Sequence, residues 1–125
     1  EADAIMNEIL RIDNPFVSNR RITTCPVSIG GRDLPEGARV KLNWTSANRD
    51  ERRFEPGFDE ETNAEHNLVF GIGPHYCPGE ELTFVELRAF FRALLGRFSA
   101  IELVGNGTRA VTPVGGYDDL PVILR

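Results

Sequence analysis

At 125 residues the chain has the length of one domain, and a 41% hydrophobic share allows it to bury a core. Nineteen Asp and Glu against fourteen Lys and Arg give a net charge of −5, with the basic residues scattered. This balance argues against nucleic acid or an anionic membrane surface as partner. Two cysteines, Cys25 and Cys77, imply no disulfide framework, and no apolar run approaches the ~20 residues that span a bilayer. No signal peptide is recognisable. The chain opens at Glu1 and is helical in pattern almost at once, so a natural N-terminus further upstream is expected.

The first twelve residues read as a helix, with Ala4, Ile5, Ile9 and Ile12 on one face and Glu8 and Arg11 as an i,i+3 pair. Taken alone, such a pair is an ordinary surface salt bridge worth under about 1 kcal/mol. Asn14-Pro15 ends the helix, because the residue before proline is pushed out of the helical region. Arg20–Cys25, Val27–Ile29 and Arg39–Leu42 are short β-type runs, separated by turns at Gly30-Gly31 and Pro35-Glu36-Gly37. Leu42–Ala47 is expected as a short helix. An irregular stretch follows, through Ala47-Asn48-Arg49-Asp50, Phe54, Pro56 and Phe58-Asp59. Strands are expected at Ala100–Val104, Val111–Val114 and Leu120–Leu124, with Gly105-Asn106-Gly107 and Gly115-Gly116 between them. Helices and separate short strands together make an α+β chain, with no repeat or domain linker.

The chemistry concentrates at Phe70-Gly71-Ile72-Gly73-Pro74-His75-Tyr76-Cys77-Pro78-Gly79. This glycine-interrupted loop leads into a helix expected over Glu80–Phe98, whose apolar face is Leu87, Phe90, Phe91, Leu94, Leu95 and Phe98. Cys77 thus stands at a helix N-terminus, where free N–H groups and the dipole favour a thiolate. Pro78 suits the first helical turn. Gly79 offers no side chain, so a flat ligand can approach the backbone, and Phe70 is placed to shield the sulfur. A shielded thiolate of this kind is a donor for a soft metal. Cys25 reads as a packed small residue in a strand.

These residues resemble the haem-binding loop of the cytochromes P-450, the haem-thiolate monooxygenases. Phe70, Gly73, His75, Cys77 and Gly79 keep every spacing of that loop. The resemblance extends to the whole chain, which is similar to the C-terminal haem-binding portion of the fold. It implies Cys77 as the metal ligand of haem b, with Phe70, Gly73, Gly79, His75 and Arg20 as cofactor-binding residues. His75 and Arg20 would meet the haem propionates, for which an Arg fork is suited. It also implies that Glu8 and Arg11 form a buried structural pair. Two features depart from the family: the spacer between Asp50 and Phe58 is short, and Thr62 stands where an arginine would complete a cluster with that pair. Arg52 and Arg53 are the nearby replacements.

The resemblance further implies oxygen activation and hydroxylation of a small organic substrate, with electrons from a ferredoxin or flavoprotein, in the cytoplasm. No helix here matches the one that covers the oxygen-binding face. The distal helical part, or a partner chain, is therefore expected from elsewhere, and the isolated chain is expected to be inactive. The alternative is a non-catalytic haem-binding or interaction module, a truncated or decayed relative.

Overall fold

The computed structural model describes residues 2–110 and 114–125. Helix α1, Ala2–Ile12, is followed by strands β1 (Ser18–Ile22), β2 (Val27–Ile29), β3 (Arg32–Leu34) and β4 (Arg39–Asn43). A one-turn helix α2, Trp44–Ala47, comes next, with Asn43 capping it through a side-chain bond from Ser46 N–H. Leu42 and Asn43 therefore belong to β4, and the helix starts two residues later than expected. Two 3-10 turns, Ala64–His66 and Gly73–His75, punctuate the irregular stretch before helix α3, Glu80–Leu95. Strands β5 (Ile101–Leu103), β6 (Thr108–Arg109), β7 (Tyr117–Asp119) and β8 (Val122–Leu124) close the chain. Of the strand expected at Val111–Val114, only Val114 lies among the described residues, where it bridges to Phe16.

The strands form four antiparallel pairs, β1 with β4, β2 with β3, β5 with β8 and β6 with β7. In the first pair Arg20 faces Lys41 and Arg21 faces Val40. The β2–β3 hairpin turns at Gly30 and Gly31, both at positive φ (56° and 77°), the conformation that a two-residue turn of matching twist demands. Helix α3 ends at Leu95 rather than Phe98. Gly96 caps it, yet Phe98 N–H still returns to Leu94 O at 3.0 Å, so the apolar spacing outlasts the helix by one turn.

The interior is unusually polar. Among the described residues the buried apolar side chains are Met6 and Phe54, while Glu8, Arg11, Asn14, Asn48 and Asn63 are all buried. The face of α3 at Phe84, Leu87, Phe91 and Leu94 is half-buried, but Leu82, Val85, Phe90 and Leu95 stand exposed. The single buried face expected for this helix is thus incomplete. Among the described residues no helix is long and apolar enough to cross a membrane.

Candidate haem-thiolate site

The loop carrying Cys77 is held by its own backbone. Cys77 N–H donates to Phe70 O at 2.8 Å, Gly71 N–H to Leu68 O at 2.9 Å and Tyr76 N–H to Gly73 O at 3.0 Å. Gly71 and Gly73 lie at φ of 79° and 71°, where a side chain is strained, so both glycines are set by the backbone path. Gly79 differs. Its φ is −93°, which any residue can adopt, but a Cβ there would lie 3.6 Å from Cys77 Sγ. What glycine provides here is open space beside the sulfur. Gly79 is also the N-cap of α3, so Pro78 precedes the helix instead of entering its first turn, and Cys77 sits two residues before the cap.

Phe70 packs its ring on Phe84 of α3, with centroids 5.8 Å apart. Tyr76 donates its hydroxyl to Glu80 at 2.6 Å. That bond, with some burial and the neighbouring negative charge, pushes the phenol up to about 12 and keeps it neutral.

An open groove of about 240 Å³ lies against the half-buried Cys77. Phe16, Trp44, Val69 and Ile72 supply apolar wall, and Arg21 and His75 supply the basic groups. A soft donor, apolar walls and basic groups at one opening fit a flat apolar ring with carboxylate edges. Arg20 is not among the lining residues. Side chains alternate along a strand, and it is Asn19 and Arg21 of β1 that reach this groove. Alternation places the two arginines on opposite faces of the strand, and the packing decides which face meets the groove.

Behind the loop, Glu8 and Arg11 form a bidentate pair, Nε to Oε2 and Nη2 to Oε1, both at 2.6 Å. The residues are 1% and 3% exposed, so this is an internal pair. Arg11 also donates to the carbonyls of Asn48 and Gly57, and its guanidinium lies 4.9 Å from the Phe54 ring centre. Glu8 Oε1 accepts Asp59 N–H at 3.0 Å and Asn63 Nδ2–H at 3.1 Å. Burial raises the Glu8 carboxyl, but the bonds from Arg11, Asp59 and Asn63, with the charge of Arg11, outweigh it and hold it below its ordinary range.

Neither Arg52 nor Arg53 bonds to Glu8. Arg52 is exposed and pairs with Asp50. Thr62 closes a local turn, its N–H and hydroxyl both donating to the Asp59 carboxylate. The buried Asn63 takes the place beside Glu8 and also accepts Glu55 N–H at 3.0 Å. A neutral amide next door supplies the donor expected from the charged side chain at position 62. Nothing in its sequence neighbourhood marks it.

The sequence model of the family described as Cytochrome P450 matches residues 2–109. Among curated relatives, the chain is 41% identical over 116 residues to cyclomarin C epoxidase CymV of Salinispora arenicola, covering 91% of this chain and 28% of that protein. It is 36% identical over 101 residues to the beta-dihydromenaquinone-9 omega-hydroxylase of Mycobacterium bovis, covering 79% and 21%. The ligand-free structure of cytochrome P450 TbtJ1 superposes with a TM-score of 0.91 at 31% identity, over 100% of this chain and 35% of the other. The chain therefore spans about a quarter of the length of the curated relatives it matches.

Proposed function

This chain belongs to the cytochrome P450 family, and we propose that it is the haem-holding portion of a haem-thiolate monooxygenase, in which the Cys77 sulfur would hold the iron of haem b. The observation that carries this reading is the half-buried Cys77 sulfur in a groove with both apolar and basic walls, 3.6 Å from where a Cβ of Gly79 would lie.

Each residue of the loop then has a task. Cys77 offers the sulfur, and Phe70 covers it from the α3 side while receiving the Cys77 N–H. Gly73 shapes the backbone path and Gly79 leaves the approach clear. His75 and Arg21, which line the groove, are the basic groups that would meet carboxylates at the haem edge, the task the family resemblance gives to Arg20 and His75. When bound, the haem supplies the iron at which oxygen is activated, and the thiolate donor favours O–O cleavage. Glu8 and Arg11 act at a distance by holding the irregular stretch together.

The cover over the opposite haem face, and with it substrate choice, belongs to the distal helical part or to a partner chain. The substrate class is a small organic molecule. Electrons come from a ferredoxin or flavoprotein, and the setting is cytoplasmic. The named reactions of the relatives, an epoxidation and an omega-hydroxylation, are both oxygen insertions.

The test is spectroscopic. Haem-loaded protein is expected to give the strongly red-shifted ferrous–CO band of a thiolate ligand. Cys77→Ser is expected to abolish it, because a neutral hydroxyl is a poor donor, while Cys25→Ser leaves it intact. Loss of the band in Cys25→Ser with retention in Cys77→Ser overturns the assignment.

A further inference from the structure

We propose that the paired side-chain amides of Asn48 and Asn67 are a positioning device for Cys77, transmitting the placement of the Glu8–Arg11 pair to the thiolate loop. The inference rests on Cys77 being the ligand. Its basis is an unbroken run of hydrogen bonds. Arg11 donates to the carbonyl of Asn48. The Asn48 side chain, fully buried, donates from Nδ2 to Asn67 Oδ1 at 3.1 Å and accepts Leu68 N–H on Oδ1 at 2.8 Å. Asn67 Oδ1 also accepts Val69 N–H at 2.9 Å, and its Nδ2 donates to Asn7 of α1, at 2.7 Å to Oδ1 and 2.9 Å to the backbone oxygen. The next residue is Phe70, whose carbonyl accepts the Cys77 N–H at 2.8 Å.

Four consecutive residues, Asn67 to Phe70, are thus tied in succession, and the last tie is to the ligand itself. A primary amide suits this because it presents a donor and an acceptor side by side. Asn48 uses both on neighbouring positions of one segment. Asn67 in turn ties that segment to α1. Breaking the bridge leaves the fully buried Asn48 amide and the half-buried Asn7 and Val69 groups without partners, so the segment is released locally while the Glu8–Arg11 pair stays closed.

The experiment uses the full-length protein with Asn67→Ala and Asn67→Asp. Asp keeps the acceptor that serves Asn48 and Val69 but sets a carboxylate oxygen, in place of the donor, against the two Asn7 oxygens. In the haem-free protein, alkylation at Cys77 and Cys25 is followed site by site by mass spectrometry, with Cys25, which lies exposed between β1 and β2 rather than packed in a strand as expected, as the internal reference. Asn67→Ala is expected to speed Cys77 alkylation about fivefold, the scale of one lost buried bond, with Cys25 unchanged. In the haem-loaded protein it is expected to convert part of the thiolate-type CO band to a blue-shifted one. Asn67→Asp, which keeps the acceptor half of the bridge, is expected to fall between the parent and Asn67→Ala in both signals. Cys77 reactivity and CO band equal to the parent's in Asn67→Ala overturn the inference. Equal acceleration at both cysteines overturns it too, since that reports general loosening. A parent protein without a thiolate-type band instead overturns the ligand assignment, a result the parent alone reveals.

Discussion

Glu8 and Arg11 carry more of the stability than any surface pair in the chain. Removing Glu8 leaves a guanidinium that is 3% exposed with two carbonyls and an aromatic ring as its remaining company. Stranding a buried charge costs about 3–5 kcal/mol. Glu8→Ala and Arg11→Ala are therefore expected to lower the denaturant midpoint severely, and Asn63→Ala by a smaller step of about 1–3 kcal/mol, because Glu8 keeps its other donors. The same carboxylate sets an acid limit. Its folded form is held below the ordinary 4.5, so the unfolded chain takes up the proton first as pH falls. The stabilisation is complete above that value and is lost as pH falls through the folded one. A series of urea midpoints between about pH 7 and pH 3 should show this slope in the parent and a flatter one in Glu8→Gln. Equal slopes would place the carboxylate outside the stability balance.

The loop and α3 work as one element with two kinds of glycine. Gly73 sits at φ 71° with open space around its missing Cβ, so Gly73→Ala meets only backbone strain, about 1–2 kcal/mol. Gly79 has an unstrained φ, and its substitution places a methyl group beside the sulfur. Gly73→Ala is accordingly expected to lower the melting temperature, whereas Gly79→Ala melts close to the parent and retains less haem on gel filtration. The reverse pattern would contradict the roles assigned to the two positions. The ring of Phe70 against Phe84 joins this loop to the half-buried face of α3.

For the whole molecule, the accessible surface is 9609 Å². A self-contained globular protein of 13.9 kDa exposes roughly 6,700 Å². The excess is visible as apolar residues left outside, Ile5 and Ile9 on α1 and Leu82, Val85, Phe90 and Leu95 on α3. Apolar surface of this extent favours association. The isolated 125-residue chain is expected to show a scattering mass that rises with concentration, and the pair Val85→Glu and Phe90→Glu is expected to reduce it. A concentration-independent monomer, unaffected by those changes, would refute this. The small apolar interior also explains why the buried polar cluster matters: with Met6 and Phe54 as its apolar core, the chain relies on satisfied hydrogen bonds for its shape.

The sequence by itself determined most of what is contiguous in the chain. The thiolate loop, the glycine at the helix start, the α1 pair at i,i+3 and the two-glycine hairpin turn all lie within a few residues, where backbone geometry relates spacing directly to position. It also carried the family. Only the tertiary structure decided which partners arrive from far along the chain. It decided that Asn63 and not an arginine serves Glu8, that Arg21 and not Arg20 reaches the groove, and that Asn48 meets Asn67. It likewise decided that α3 stops at Leu95 with one apolar side uncovered. The reason is common to all four. Burial and facing depend on what packs alongside, and a residue's own neighbours in sequence do not encode that.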